Sequence, residues 1–440
     1  MTARRIAFWL GPLGFLFTVL TSAPAGMPAP AWPTAGLVWW MAAWWMTEAL
    51  PLSVTALLPF IVLPLVGVAD ANKTASTYYS PVMFLFLGGA FLALAIERTG
   101  LHRRLALAIL SRAGHSPLRL LLAVMAATAL ISMFISNTST ALIMMPMALA
   151  MLASGGVTEG ETDGMAGALP MGVAFAATLG GYGTIVGTPT NAIAVALLQK
   201  SLGVQISFIE WSMYGLPLVA LSVPLAALII ARVQRIGQSR FDPAAARAAI
   251  HLPPAWTTPE KRLAPVFALT VLAWITMPLL KPMFPAGGLD DGTIAALAGL
   301  TLFFIPDGTG RPLLKWDEAN RAPWGVILMF GGGLALAMGM TESGLADWMG
   351  QMLLPLKAVP LPIVAGLAFA QTGWVIPSVI DKPLSLLGAA FGPALGGLLT
   401  QLISWEAIFF VQVPAILLAL PMSWAVYQAA LILFGSRRVA

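Results

Sequence analysis

The chain of 440 residues contains no cysteine and is poor in charged residues. The absence of cysteine excludes disulfide bonds, a thiolate nucleophile and a cysteine-ligated metal. Aspartate, glutamate, lysine and arginine make up only 9% of the chain, whereas roughly 25% is typical of soluble domains. So few charges cannot cover a surface that faces water.

Several motifs that carry chemistry are also missing from the sequence. No glycine-rich phosphate loop with its lysine is present, which disfavours an ATP-driven pump. No paired carboxylates, histidine cluster or activated nucleophile occurs at a spacing typical of an enzyme. His102, His115 and His251 lie in charged or loop-like contexts, and we predict that they are solvated. We therefore expect neither an enzyme nor a resident metal centre.

Hydrophobic residues are in excess, at 59% of the chain with a mean hydropathy of +0.87. Apolar runs approach the ~20 residues that a helix needs to cross a bilayer, among them Ile6–Thr21, Ala264–Leu280 and Trp405–Leu418. The net charge of +5 is spread over short loops, which indicates membrane topology rather than nucleic-acid binding. The sequence predicts an all-α polytopic membrane protein that contacts the lipid bilayer and binds no nucleic acid.

The basic residues predict the orientation of the chain. Five of them fall in the loop 235–262, and Arg4 and Arg5 precede the first apolar run. Positive residues concentrate in cytoplasmic loops, so we place this loop and the N-terminus in the cytoplasm, with the chain in a bacterial inner membrane. Candidate crossings between them start near residues 6, 34, 53, 81, 118 and 213. The predicted domains are a first membrane repeat (1–234), a basic linker (235–262) and a second membrane repeat (263–440) that is atypical after about 355.

Two stretches of sequence indicate that the halves are related. Gly88–Leu101 reads GGAFLALAIERTGL and Gly332–Leu345 reads GGLALAMGMTESGL, with six of fourteen positions identical at an offset of 244. Chance similarity between helices rich in glycine, alanine and leucine is the alternative. A duplicated half is the usual architecture of a secondary transporter. We therefore predict two repeats, inverted if each holds an odd number of crossings.

Polar residues interrupt the apolar sequence at two places, 132–140 and 180–191. Serine, threonine and asparagine in the first can cap a restarting helix, and the glycines and Pro189 of the second favour a break. We predict broken helices and re-entrant hairpins there. Helix N-termini and hydroxyls suit a carboxylate, while carbonyl and Asn side-chain oxygens suit Na⁺. Neither segment contains lysine or arginine. The alternative is that these small residues only allow close helix packing.

Five motifs together resemble one known family. They are WWMTEALPLSVTALLP (Trp44–Pro59), LGGAFLALAIERTGLHRR (Leu87–Arg104), SNTST (Ser136–Thr140), GTPTN (Gly187–Asn191) and FGGG (Phe330–Gly333). Over about residues 1–355 the chain resembles the divalent anion:sodium symporter family, which includes the INDY-type sodium-dicarboxylate cotransporters. The resemblance implies sodium-coupled uptake of di- or tricarboxylate anions such as succinate, malate, fumarate or citrate. It also implies a homodimer of inverted repeats that works as an elevator, with Na⁺ as coupling ion and no other cofactor.

The resemblance also implies which residues bind ligands. The sodium-binding positions of the family fall on Ser132, Ser136, Asn137 and Gly187. Its substrate-binding positions fall on Ser136, Asn137, Thr138, Thr188, Pro189 and Asn191. Thr190 stands where many members have a second proline.

The second half departs from the family pattern. No second Ser-Asn-Thr follows residue 140, and neither that motif nor a second Thr-Pro-Pro-Asn occurs near 380 or 433, where the offset of 244 would place them. Residues 385–420 instead resemble the fifth-helix glycine-proline motif of major facilitator drug exporters. A fusion, a diverged or frameshifted tail, and local convergence are three explanations. Two other functions stay open, a proton-driven exporter and a transport-inactive membrane protein.

Overall fold

The structure, a computed structural model, describes residues 3–353 apart from positions 115, 159, 239, 249–254 and 286. These residues form helices and turns. Their one β-type pairing is an isolated antiparallel bridge between Pro306 and Pro312. The all-α class is thus confirmed for the described part.

The helices lie before, within and after the basic linker. Before it are α1 (Ala3–Leu20), α2 (Ala31–Thr47), α3 (Leu52–Thr55), α4 (Leu58–Leu65), α5 (Ala71–Ser76), α6 (Pro81–Thr99), α7 (Leu101–Leu110), α8 (Pro117–Ser132), α9 (Asn137–Ser154), α10 (Met165–Gly181), α11 (Pro189–Leu202) and α12 (Phe208–Val233). Within and after it are α13 (Pro243–Ala248), α14 (Thr258–Leu280), α15 (Asp291–Thr301), α16 (Trp316–Ala319), α17 (Trp324–Glu342) and α18 (Leu345–Leu353).

Five helices of the described residues are long and apolar enough to cross a bilayer, namely α6, α9, α12, α14 with its following turn, and α17. The shorter apolar segments are Leu52–Leu65, α8 and α10. The crossings predicted near 6, 34, 53, 81, 118 and 213 coincide with α1, α2, α3, α6, α8 and α12. Several such helices in one chain make it a multi-pass membrane protein.

The starts of the long helices are set by capping residues. Ser207 and Thr257 accept the backbone N–H of Glu210 and Glu260, and both glutamates accept the N–H of their cap residue at 2.7 Å. Such capping boxes satisfy N–H groups that the first turn of a helix leaves free. At α8, Pro117 occupies the first position, where its missing N–H costs nothing.

The described residues form two compact units, and the first consists of residues 3–80, 196–202 and 323–353. In its described part α1 and α2 pack through aromatic rings, with Phe8 of α1 stacked on Trp44 of α2 at a centroid distance of 5.7 Å. α17 packs against α3 so closely that a Cβ on Gly332 would lie 2.3 Å from the Ala56 carbonyl oxygen. The Tyr78 hydroxyl donates to this same oxygen at 2.6 Å. Small residues and one buried hydroxyl therefore hold this unit together.

The second unit consists of Pro81–Val195 and Gly203–Ala322. α6 and α15 cross closely at Gly88, where a Cβ would lie 2.2 Å from the Ala295 carbonyl oxygen. α8 and α10 approach in the same way at Gly180, where a Cβ would lie 2.3 Å from the Ala129 carbonyl oxygen. These glycines permit the close helix contacts that are common in membrane bundles.

An ion-pair network fixes the loop after α15 to the end of α6. Arg98 pairs with Asp307, which is only 1% exposed, and also donates to the carbonyl oxygens of Pro312 and Leu313. Burial disfavours the ionised form of Asp307. Hydrogen bonds from Thr309 and Arg98 outweigh that effect and hold the pKa of this carboxyl well below its usual value. The loop is therefore an ordered part of the unit.

The two stretches that match in sequence also adopt the same local structure. α6 and α17 are both 19 residues long, and each is followed by a shorter helix. The connecting residues are Gly100 and Gly344, with φ of +80° and +76°. A positive φ is easily adopted only by glycine, which explains why this residue recurs. The repeat boundaries and their inversion stay predictions.

Two expectations need correction or refinement. His102 is not solvated, since it is 8% exposed with Nδ1 3.0 Å from the Ile96 carbonyl oxygen, and burial lowers its pKa. The basic linker is not a bare loop, because it contains α13 and places Phe241 against Gly155. Four predictions concern residues outside those that the structure describes. They are the predictions for His115, for His251, for the second repeat after about 355 and for the motif at 385–420.

Candidate functional site

The first polar interruption breaks the helix, as predicted. α8 ends at Ser132 and α9 begins at Asn137. Ser136 caps α9 by accepting the backbone N–H of Ser139 at 3.3 Å, and the hydroxyls of these two serines are 3.0 Å apart. The N-terminus of α9 therefore opens at the break, where its free N–H groups and partial positive charge suit an anion.

The second interruption also breaks the helix. α10 ends at Gly181, a 3₁₀ turn covers Ile185–Gly187, and α11 begins at Pro189. Asn191 is 3% exposed, and its side-chain amide donates to the carbonyl oxygens of Gly181 and Thr184, both at 2.8 Å. Both amide hydrogens are used in these bonds. The role of Asn191 in the structure is thus to close the loop of the break.

The two breaks lie against each other within the second unit. Ser132 donates to the Ala177 carbonyl oxygen at 2.5 Å, and Thr184 donates to the Met133 carbonyl oxygen. A Cβ on Gly181 would lie 2.7 Å from Asn137 Oδ1. The backbone of one break therefore borders the side chains of the other.

Three polar groups lie close together at this meeting point. The fully buried Ser132 hydroxyl lies 2.5 Å from the Ala177 carbonyl oxygen and 2.9 Å from Asn137 Oδ1. A hydroxyl has one hydrogen, so it can serve only one of these two acceptors. In this orientation of the Asn137 amide, one close pair of oxygens has no hydrogen between them. A cation beside them would remove the resulting repulsion.

The predicted site residues fall into two groups by exposure. Ser136 and Thr138 are exposed at the start of α9, with Asn137 half-buried between them. Gly187 is buried, and a Cβ there would lie 2.5 Å from the Gly181 carbonyl oxygen. Gly181 thus borders both Asn137 and Gly187, and Asn137 in turn contacts Ser132.

The tip of the second break is more open to solvent. Thr188 and Pro189 are half-buried, and Thr190 is exposed with its hydroxyl 3.0 Å from that of Thr188. These hydroxyls are the accessible polar groups of this tip, next to the buried Asn191.

The residues that join the two breaks are not among the predicted site residues. Gly181 and Thr184 belong to the predicted interruption, and the glycine doublet was their signal. The Ala177 carbonyl oxygen and Trp211, whose indole donates to the Tyr182 carbonyl oxygen at 3.0 Å, have no such signal. Among the described residues no cluster of His, Asp or Glu side chains is arranged to hold a metal ion. Any cation at these breaks would be bound by neutral oxygens.

Two facing helix breaks in a multi-pass membrane protein define the chain as a membrane transport protein of the broken-helix kind. Comparison with known proteins gives the family. The family model described as citrate transporter matches residues 42–434, and the chain belongs to this family. It is therefore a transporter and not an enzyme.

Curated relatives agree with this assignment. The sodium-dependent dicarboxylate transporter SdcS of Staphylococcus aureus strain MRSA252 is 36% identical over 394 residues, which cover 82% of this chain and 72% of the relative. SdcS of strain USA300 is 36% identical over 392 residues, with the same coverage of both chains. The resemblance stated from the motifs is confirmed. The family match also includes residues 385–420, the stretch that resembles drug exporters.

Proposed function

We propose that this transporter carries di- or tricarboxylate anions of the succinate, malate, fumarate and citrate class by symport with sodium. The names of its relatives and of its family support the anion class and the use of sodium. The close grouping of the Ser132 hydroxyl, the Asn137 side-chain amide and the Ala177 carbonyl oxygen at the two breaks is the observation that carries the proposal.

The sodium ion is proposed to bind at Ser132, Ser136, Asn137 and Gly187. Ser132 Oγ and Asn137 Oδ1 offer side-chain oxygens, and the broken backbone near Gly187 offers carbonyl oxygens. Sodium is a hard cation with low charge, so a ring of neutral oxygens satisfies it without a carboxylate.

The anion is proposed to bind at Ser136, Asn137, Thr138, Thr188, Pro189 and Asn191. Exposed hydroxyls and the N-terminus of α9 provide hydrogen-bond donors for its carboxylates. Because the amide hydrogens of Asn191 are already engaged, we expect Asn191 to act by holding the loop, leaving Thr188 to donate.

The setting of this transport is also a proposal. We place the chain in a bacterial inner membrane, with its N-terminus in the cytoplasm, as a homodimer that moves substrate by an elevator motion. Since the chain has no cysteine, a single cysteine introduced near the N-terminus can be probed with an impermeant thiol reagent. Labelling from the outside of intact cells would contradict this orientation.

Uptake of ¹⁴C-succinate into proteoliposomes that contain the full chain tests the proposal. We expect accumulation with an inward sodium gradient and none when potassium replaces sodium. Ser132→Ala removes the hydroxyl beside Asn137 and should reduce sodium-driven uptake at least tenfold, roughly the effect of losing one buried hydrogen-bonded ligand.

Thr276→Val is the control for Ser132→Ala. The Thr276 hydroxyl donates only within its own helix, to the Leu272 carbonyl oxygen at 2.8 Å, so this variant should transport as the wild type does. Equal accumulation with sodium and with potassium would refute sodium coupling. Normal uptake by Ser132→Ala would show that the cation binds elsewhere.

A further inference from the structure

The loop between α10 and α11 is held at several points, and most of them belong to the broken helices themselves. The Asn191 amide holds the carbonyl oxygens of Gly181 and Thr184, and the Thr184 hydroxyl bonds to the Met133 carbonyl oxygen. One further bond comes from outside the two breaks. The Trp211 indole N–H on α12 donates to the Tyr182 carbonyl oxygen at 3.0 Å.

α12 also touches this loop with its backbone. Gly215 lies one turn after Trp211, and a Cβ there would be 2.4 Å from the Tyr182 carbonyl oxygen and 3.0 Å from that of Gly183. Residues four apart lie on the same face of a helix, so Trp211 and Gly215 present one surface to the loop. The loop is thus seated on α12 by a directed bond and by a close approach that only glycine allows.

The position of Trp211 is itself fixed by the start of α12. The backbone N–H of Phe208 donates to Asp291 Oδ2 at 2.7 Å, and the Phe208 ring stacks on Trp274 at 4.6 Å. Trp211 is 5% exposed and follows Phe208 by less than one turn. Because these contacts hold the first residue of α12, the helix cannot shift along its axis. The Trp211 indole N–H therefore stays at the level of the Tyr182 carbonyl oxygen.

We infer that Trp211 is a positioning residue for the proposed sodium site, acting through the carbonyl of Tyr182. The next residue back is Gly181, whose backbone borders Asn137 Oδ1 closely enough that no side chain fits between them. Any shift of Tyr182 therefore changes the space between Gly181 and Asn137. Trp211 gives no ligand atom; it keeps the distance between Gly181 and Asn137 constant. This inference rests on the proposed sodium-coupled function.

Trp211→Phe tests the inference because it keeps an aromatic ring and removes the indole N–H, while the loss of ring size is shared with the control below. Uptake of ¹⁴C-succinate is measured in proteoliposomes against sodium concentration. We expect the apparent affinity for sodium to fall about three- to tenfold, as for the loss of one buried hydrogen bond. Uptake at saturating sodium, and the KM for succinate measured there, should stay close to wild type.

Trp45→Phe is the matched control. The Trp45 indole donates to the Leu52 carbonyl oxygen at 3.0 Å in the other compact unit, so its sodium affinity should equal that of the wild type. Gly215→Ala is a second variant that disturbs the same loop by another route, and it should also lower sodium affinity. Sodium binding should raise the melting temperature of the protein, which gives a readout independent of transport. Both variants should need a higher sodium concentration than the wild type for the same rise.

The outcomes separate the two proposals. A wild-type protein without sodium-stimulated uptake would sink the proposed function, and the inference with it. Sodium-dependent wild-type uptake together with unchanged sodium affinity in Trp211→Phe and Gly215→Ala would overturn the inference alone. Reduced maximal uptake at unchanged sodium affinity would also overturn it, because that pattern indicates a merely structural role.

Discussion

Replacement of Asp291 by asparagine should change how the stability of the protein depends on pH. Asp291 is the first residue of α15, outside the five candidate membrane-crossing helices, and is 8% exposed. Its Oδ2 accepts the Phe208 N–H at 2.7 Å, while Oδ1 is buried without a partner among the described residues. An asparagine side chain at this position would keep an oxygen for Phe208 and would carry no charge at any pH.

The size of the effect follows from the pKa of this carboxyl. Burial raises the pKa of Asp291 from 3.8 to about 6. The Phe208 N–H and the more distant Lys281 lower it, and the charges of Asp290 and Glu210 raise it further. One pKa unit corresponds to about 1.4 kcal/mol, so keeping Asp291 ionised in the folded protein costs on the order of 3 kcal/mol.

Stability falls or rises with pH according to whether the folded or the unfolded protein binds the proton of Asp291 more tightly. Below pH 4 the carboxyl is protonated in both the folded and the unfolded protein, and the cost is absent. Between about pH 4 and 6 the folded protein alone keeps the proton, so wild-type stability falls as pH rises through this window. Above pH 7 the loss is complete and levels off.

Thermal unfolding of the purified protein, followed by tryptophan fluorescence from pH 4 to 8, measures this dependence. The melting temperature of the wild type relative to Asp291→Asn should fall by several degrees across the window. The control is Asp70→Asn, since Asp70 is an exposed cap that accepts the Lys73 N–H at 2.7 Å; its difference from wild type should not follow the same curve. A relative stability that is constant or rises with pH would refute the reasoning, because the N-terminus of α12 would then stabilise the charge more than burial destabilises it.

Two further substitutions test the packing and the ion pairs. Gly332→Ala should destabilise the protein by about 1–3 kcal/mol, since its Cβ would overlap the Ala56 carbonyl oxygen. Gly333→Ala, one residue along the same helix with nothing within 4 Å of its Cβ, should be neutral or slightly stabilising, and equal melting temperatures for the two variants would contradict the contact. Arg98→Gln should lower the melting temperature at neutral pH by removing the nearer of the two cations of Asp307, which leaves only Arg311 at 4.0 Å. This difference should shrink as pH falls and Asp307 is protonated; a difference that does not depend on pH would mean that the pair is not ionic.

The sequence predicts those features of the fold that depend on neighbouring residues. The breaks at 132–140 and 180–191 were predicted because prolines, glycines and capping side chains act on their own stretch of backbone. Ser136 does cap α9, and α11 does begin at Pro189. For the same reason, the matched stretches after Gly88 and Gly332 fold alike.

Contacts between distant residues could not be predicted in this way. Trp211 and Tyr182 are 29 positions apart, and Arg98 and Asp307 are 209 apart. Nothing in the local sequence marks an indole that bonds to a loop carbonyl, or an arginine that pairs with an aspartate in a distant loop. The prediction that His102 is solvated is wrong because it was based on the charged residues next to it in sequence. Those neighbours do not determine that the His102 side chain itself is buried.

The charge balance at the two breaks favours coupled binding of an anion and a cation. Neither break contains lysine or arginine, and a helix N-terminus such as that of α9 supplies only about half a positive charge. A dicarboxylate with two negative charges would therefore lose more by leaving water than these two segments return. A cation bound at the proposed site by the oxygens of Ser132 and Asn137 would supply part of the missing charge. Since the effect of one ligand on the affinity of another is reciprocal, the anion would then also strengthen cation binding. In this site sodium coupling would follow from the lack of basic side chains.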